Sequence, residues 1–269
     1  MTELPETTML LLNREGSRLD LTLNNPERRN ALSGEMVDEL HQVLDAIAPD
    51  RTIRTVVMRG AGGMFCAGGD IKGFKAGFQA DADPKAIAAS NRTFGDFLIK
   101  LNNLPQVVVM LVEGAAMGGG LGLVCVSDVA IATAETRFSM TETSLGIPPA
   151  QIAPFVAERL GLTQSRRLML TGARFKGETA AELGLVHFCE ADTAALEARL
   201  DEVLGEIDRC APAANAATKD IVLTSRREPL EATLDMAADH FAACMLSDEG
   251  REGVGAFLEK RKASWIERK

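Results

Sequence analysis

Apolar and polar residues alternate over 9–12 and 18–23 on either side of Glu15-Gly16, the pattern of an opening hairpin with one buried face. Asn24-Asn25-Pro26 ends it. From Ser33 the period changes: Met36, Val37, Leu40, Val43, Leu44 and Ile47 recur at helical spacing, so Ser33 caps a helix over about 34–47. Two runs have no polar face at all, 55–58 and 107–112. Short β-branched runs of this kind form strands buried on both sides. Each leads into glycines. The first continues as RGAGGMFCAGGDIKGF, the second as EGAAMGGG, after which 121–126 reads as a short buried helix closed by Ser127-Asp128.

A polar, alanine-rich stretch over 75–90 precedes an amphipathic helix reaching about Leu101. Strands are predicted at 129–134 and 137–140, and the rigid turn Ile147-Pro148-Pro149 opens a helix over about 154–160. Further helices are predicted at about 165–170, 177–183, 194–209, 212–225, 229–247 and 253–265. The first half is rich in strands and the second in helices, with no linker, internal repeat or low-complexity tract between them. The fold class is α/β, with a core over 1–200 and a helical region over 201–269.

Composition narrows the partners. The 269 residues carry a net charge of −9, which disfavours nucleic acids and anionic membranes, and no apolar run is long enough for a membrane span. The acidic N-terminus has no signal-peptide pattern, so a cytoplasmic protein is expected. Five widely spaced cysteines, with no CxxC pair or His/Cys cluster, read as small buried hydrophobes in a reducing compartment, with no metal.

A strand running through glycines into a helix start exposes backbone N–H groups to whatever lies against it. The helix end adds a field favouring negative charge. Two such turns on neighbouring strands can aim two N–H groups at one carbonyl oxygen, the arrangement of an oxyanion hole. The three histidines, His41, His187 and His240, lie near neither turn in sequence, and Ser139 and Ser144 have no evident base, so no Ser/His/Asp site is assembled. No acidic residue follows the glycines at dinucleotide-binding spacing. Asp128, just past the short helix, reads as a turn or cap residue.

The ordered pair Phe65-Cys66-Ala67-Gly68-Gly69-Asp70-Ile71 and Met117-Gly118-Gly119-Gly120 resembles the signatures of the crotonase (enoyl-CoA hydratase/isomerase) superfamily, and the likeness runs from LDLTLN to the terminal FLEKRKASW. The resemblance implies a ββα spiral core with a C-terminal helical extension that packs between subunits, in a homotrimer or a dimer of trimers. It implies an acyl-CoA substrate and no separate cofactor, coenzyme A being part of the substrate. The oxyanion donors would be the N–H groups of Gly69 and Gly119. Arg28, Arg29 and Ala31, within ERRNAL, would hold the CoA end, joined by Lys260 from another subunit, and Ala67, Asp70, Ile71 and Lys72 of the first loop, with Gly122, would also bind substrate. Arg28 and Arg29 also fit as ordinary loop cations.

Well-studied hydratases of the family use two glutamates. The resemblance places one at Glu142, as catalytic acid/base, but puts Gly122 at the other position. Gly122 is expected to open space beside the substrate's Cβ. The GLGL, SLGIPPAQIAPFV and GLVHFCEAD stretches further resemble isohexenylglutaconyl-CoA and 3-methylglutaconyl-CoA hydratases. These substrates carry a second carboxylate, for which Lys72, Lys75 and Arg92 are candidate partners, or else solvated surface cations. Two other readings stay open: an enoyl-CoA isomerase using a single glutamate, and a non-catalytic CoA- or RNA-binding protein of the same fold.

Overall fold

The structure, a computed structural model, describes residues 3–70 and 82–266. Strands β1 (Leu10–Glu15) and β2 (Arg18–Leu23) form the expected antiparallel hairpin, with Gly16 at φ 57° in its tight turn. Helix α1 (Gly34–Ile47) follows, and Ser33 accepts the Met36 N–H as its cap. β3 (Thr55–Gly60) pairs parallel with β2. After α2 (Pro84–Asn102), β4 (Val107–Val112) adds parallel to β3.

β4 explains its own sequence. Val108, Met110 and Val112 face one hydrophobic cluster, with α1 and α2, while Val109 and Leu111 face a second. The two-residue period of a strand sends neighbours to opposite faces, so a strand covered on both sides has no polar position.

Beyond β4 the chain turns at Gly114 into β5 (Ala115–Met117), which leads into helix α3 (Gly119–Cys125). β6 (Val129–Thr133) returns to the main sheet, then β7 (Arg137–Ser139) pairs with β5. Helix α4 (Ala153–Thr171) breaks at Gly161 (φ 71°, ψ 162°), which is why the pattern read as two helices. β8 (Arg174–Lys176), α5 (Gly177–Glu182) and β9 (Phe188–Glu190) complete the strands. The main sheet has the order β1-β2-β3-β4-β6-β9 and the small one β5-β7-β8. β5, β8 and β9, of three residues each, were too short to show in the pattern.

Helix α6 (Thr193–Asp208) lays Leu196, Leu200, Val203 and Ile207 on the outer face of the sheet, against Val57, Val109, Leu111 and Ile131. The boundary drawn at residue 200 therefore falls inside a helix that belongs to the sheet. Helices α7 (Pro212–Thr224), α8 (Leu230–Leu246) and α9 (Asp248–Leu258) follow; α9 begins and ends earlier than the 253–265 expected.

Buried Arg54 and partly buried Lys219 tie this region to the core. Arg54 donates to the carbonyls of Ile207, Asp208, Cys210 and Trp265. Lys219 donates to those of Leu104 and Gln106 and pairs with Asp128 at 2.5 Å. Asp128 is thus more than a turn residue: it accepts the Val108 N–H and neutralises a lysine. Large apolar side chains on the outer helices, Leu230, Leu234, Phe241, Leu246, Phe257 and Leu258 among them, remain exposed.

Candidate active site

The two glycine turns lie side by side because backbone bridges hold them there. Cys66 donates to Ala115 O and accepts from Met117 N, placing 65–69 parallel to β5. On its other side the same loop bridges Leu32: Leu32 N–H reaches Gly68 O at 2.8 Å and Asp70 N–H reaches Leu32 O at 3.2 Å. In a parallel bridge, the residue between those two partners turns its own N–H and C=O away. That residue is Gly69. Its N–H has no partner among the described residues, and Gly69 is only half-buried between a buried Gly68 and the loop's end.

Gly119 stands in the same position on the second turn. Gly118 and Gly120 are buried, while Gly119 is partly exposed at the first residue of α3, where helix geometry leaves the N–H without an intrahelical acceptor. Gly118, at φ 47°, is the residue the turn most depends on, because a Cβ there would come 2.6 Å from Glu142 Oε1. Gly68, at φ 94°, would strike Met117 O at 2.8 Å. Leu32 and Phe94 close over Gly119, their side chains 3.0 and 3.3 Å from where a Cβ would stand.

Glu142 opens the 3-10 turn Glu142–Leu145, after β7, and lies against Gly118. Its Oε2 is buried with no hydrogen-bond partner. Burial pushes its pKa above the ordinary carboxylate range, opposed only by a bond to its own backbone. Raised proton affinity suits a carboxyl group to general acid–base work. The arrangement thus combines two unpaired N–H groups with one carboxyl of raised proton affinity.

Gly122 departs from expectation. It is buried, and a Cβ on it would meet Ile152 Cγ2 at 2.3 Å and Ile152 Cβ at 3.1 Å. The space left by the missing side chain is occupied by Ile152, so Gly122 opens no room for substrate. A hydrophobic side chain from the start of α4 has taken the volume.

At the other end, Arg28 pairs with Asp70 at 3.3 Å, so the segment expected to hold CoA and the first glycine loop are linked by charge. Arg29 takes a left-handed conformation and its carbonyl accepts the Ala67 N–H. Asn30, unremarked in the sequence reading, organises this junction. Fully buried, it donates to Ala61 O and Met64 O and accepts from Asn25 N–H. Ala31 lies in the same strand of loop, half-buried. Ile71, Lys72 and Lys75 lie outside the described residues. Lys260 is exposed beyond α9, and no described hydrogen bond or ion pair joins it to Arg28, Arg29 or Asp70.

The histidines are committed elsewhere. His187 accepts the Ala130 N–H, and burial with Arg159 nearby lowers its pKa to about 4. His240 pairs with Asp220, and His41 lies against Thr93 O. Ser139 and Ser144 donate to backbone carbonyls. Among the described residues no group of three or more His, Cys, Asp or Glu side chains could hold a metal, and no helix is long and apolar enough to cross a membrane.

Two neighbouring glycine turns whose N–H groups have no described partner, beside a carboxyl with one buried oxygen, are the groups that chemistry on an acyl carbonyl would use. The chain belongs to the enoyl-CoA hydratase/isomerase family, whose model matches residues 13–268. Among solved structures it is similar to Pseudomonas aeruginosa AtuE, with a TM-score of 0.94 and 55% identity over 97% of this chain and 100% of that one. An enoyl-CoA hydratase/isomerase from Marinobacter aquaeolei gives a TM-score of 0.92 and 44% identity over 96% and 99% of the two chains. Enoyl-CoA hydratase EchA19 of Mycobacterium tuberculosis is 30% identical, with 96% of each chain covered.

Proposed function

We propose that this enzyme hydrates a branched enoyl-CoA of the glutaconyl type, such as isohexenylglutaconyl-CoA. The observation that carries the reading is Glu142, whose buried Oε2 has no partner among the described residues, while Ile152 and no second glutamate fills the volume beside Gly122. The likeness of GLGL, SLGIPPAQIAPFV and GLVHFCEAD to glutaconyl-type hydratases supports the same substrate class.

The thioester oxygen sits between the N–H groups of Gly69 and Gly119. As water adds at Cβ, charge builds on that oxygen, and two preset donors hold it; removing one such donor typically costs about 10²–10³ in rate. Glu142 takes the proton from water and returns one to Cα. A second carboxylate on the substrate helps to orient the water where other family members place a second glutamate. Arg28, Arg29 and Ala31 receive the CoA portion, with Lys260 supplied by a neighbouring copy, and Ala67 and Asp70 contribute to substrate binding. The exposed apolar faces of α8 and α9 are covered by those copies, in a trimer or pair of trimers.

One carboxyl also suffices for moving a double bond, since an isomerase only carries a proton from one carbon to another. Turnover of 3-methylglutaconyl-CoA, isohexenylglutaconyl-CoA, crotonyl-CoA and a 3-enoyl-CoA separates the readings. Hydration of the glutaconyl compounds at higher kcat/KM than crotonyl-CoA is expected. Double-bond migration in the 3-enoyl-CoA without hydration of any of the others would replace hydratase by isomerase.

A further inference from the structure

We propose that the side chain of Cys66 is the spacer that sets the gap between the two N–H donors, Gly69 and Gly119; the inference rests on those two groups acting on the thioester oxygen, whichever acyl group is carried. Cys66 is fully buried, and its sulfur meets both turns. In the first turn, Sγ accepts the Gly68 N–H at 3.4 Å, one residue before the Gly69 donor. In the second, a Cβ on Gly120 would lie 2.7 Å from Cys66 Cβ and 3.0 Å from Sγ, one residue after the Gly119 donor. A single side chain thus touches the neighbour of each donor.

Backbone bonds fix the register at the base of the turns, where Cys66 N–H reaches Ala115 O and Met117 N–H reaches Cys66 O. Beyond those bonds the turns meet again. Gly68 lies backbone against backbone on the second turn, since a Cβ there would stand 2.8 Å from Met117 O. At Gly120 the contact runs through the Cys66 side chain instead. A larger group at that point drives the turns apart, and a smaller one lets them settle together.

The chemistry of the thiol suits a spacer. Sulfur is a weak acceptor, and it gives the buried Gly68 N–H a partner within its own turn. Burial pushes the thiol's pKa up to about 12, so at neutral pH it brings no charge beside a developing oxyanion. Cys66 reaches substrate only through Gly69 and Gly119, which makes it a positioning residue. Position matters here because an oxyanion hole works by preset geometry, and a misplacement of about 1 Å can cost about 10²-fold in rate.

The test follows butyryl-CoA carrying a heavy isotope at its thioester carbonyl. With no double bond it is neither hydrated nor isomerised, so the readout does not depend on which reaction the enzyme performs. Difference infrared spectroscopy reads the carbonyl stretch, which moves to lower frequency as hydrogen bonds to the oxygen strengthen. Full-length wild type is compared with Cys66→Ser, Cys66→Ala, Cys66→Val and Cys125→Ala. Cys125, the last residue of α3, is buried too, but its side chain makes no described hydrogen bond to either turn. Binding to the wild type should lower the stretch. Cys66→Ser, which keeps an acceptor of similar size, should retain that shift; Cys66→Ala should reduce it, Cys66→Val should lose most of it, and Cys125→Ala should leave it unchanged. In turnover, kcat should fall about 10-fold in Cys66→Ala and about 100-fold in Cys66→Val, with KM unchanged. A shift in Cys66→Ala equal to that of the wild type, or an equal loss in Cys125→Ala, overturns the spacer, and these two variants decide the matter even where Cys66→Val does not fold. Absence of any shift in the wild type overturns the oxyanion pair itself and the spacer with it, so the two failures are told apart.

Discussion

Gly122 and Ile152 are a complementary pair, and their complementarity can be measured. Replacing Gly122 with Ala puts a methyl 2.3 Å from Ile152 Cγ2, whereas non-bonded carbons settle at about 3.5–4.0 Å. Ile152 is 3% exposed and β-branched, so it has no empty space to enter and few rotamers to try. Overpacking of this kind costs about 1–3 kcal/mol, offset by roughly 0.5–1 kcal/mol because alanine is the better helix residue. Gly122→Ala should therefore lose on the order of 0.5–2 kcal/mol. Ile152→Ala alone should lose about 2–5 kcal/mol by leaving a cavity. In the double variant the new methyl enters that cavity, so the combined loss should fall short of the sum by about 1–3 kcal/mol. Urea denaturation followed by circular dichroism, at one fixed protein concentration because assembly would couple to stability, reads all four corners. Additivity within about 0.5 kcal/mol would refute the steric pairing. By the same geometry, Gly122→Glu cannot restore a two-glutamate site unless Ile152 is cut back with it. Alone it should destabilise the protein without raising crotonyl-CoA turnover.

Glu142→Gln should lower kcat by about 10²–10⁴ with CoA binding near that of the wild type; retention of more than a tenth of the rate would move the acid/base role elsewhere. Because burial raises the Glu142 pKa, the folded state holds that proton more tightly than the unfolded one. Its charge therefore costs stability at high pH and nothing once both states are protonated. Glu142→Gln should accordingly raise the melting temperature at pH 7, with a smaller difference near pH 4; equal differences at both would contradict the assignment. Between helix and core, Lys219→Met strands the partly buried Asp128 carboxylate and should cost about 1–3 kcal/mol, much of it recovered when Asp128→Asn is added. A loss below about 1 kcal/mol in urea unfolding would mean the pair holds nothing in place.

The long elements were legible in the chain because local pattern and tertiary burial agree there. α1 needed only its Ser33 cap and a 3.6-residue period, and β4 only its uninterrupted apolar run. The glycine turns were legible too, since bare backbone and a fixed order of motifs survive in one dimension. What the sequence by itself could not decide is who fills a given volume. Gly122 read as a gap because the absence of a side chain is visible along the chain, whereas Ile152, thirty residues on, enters that gap only when α4 packs on α3. Asp128 read as a turn because its partner, Lys219, arrives from a helix beyond the core. Gly69 read as a donor by likeness, but its N–H lacks a partner among the described residues because Leu32 engages the peptides on either side of it. Packing and backbone bridges join residues far apart in sequence, and no local period encodes them; that is why the tertiary structure alone settled the plug beside Gly122 and the Lys219–Asp128 ion pair.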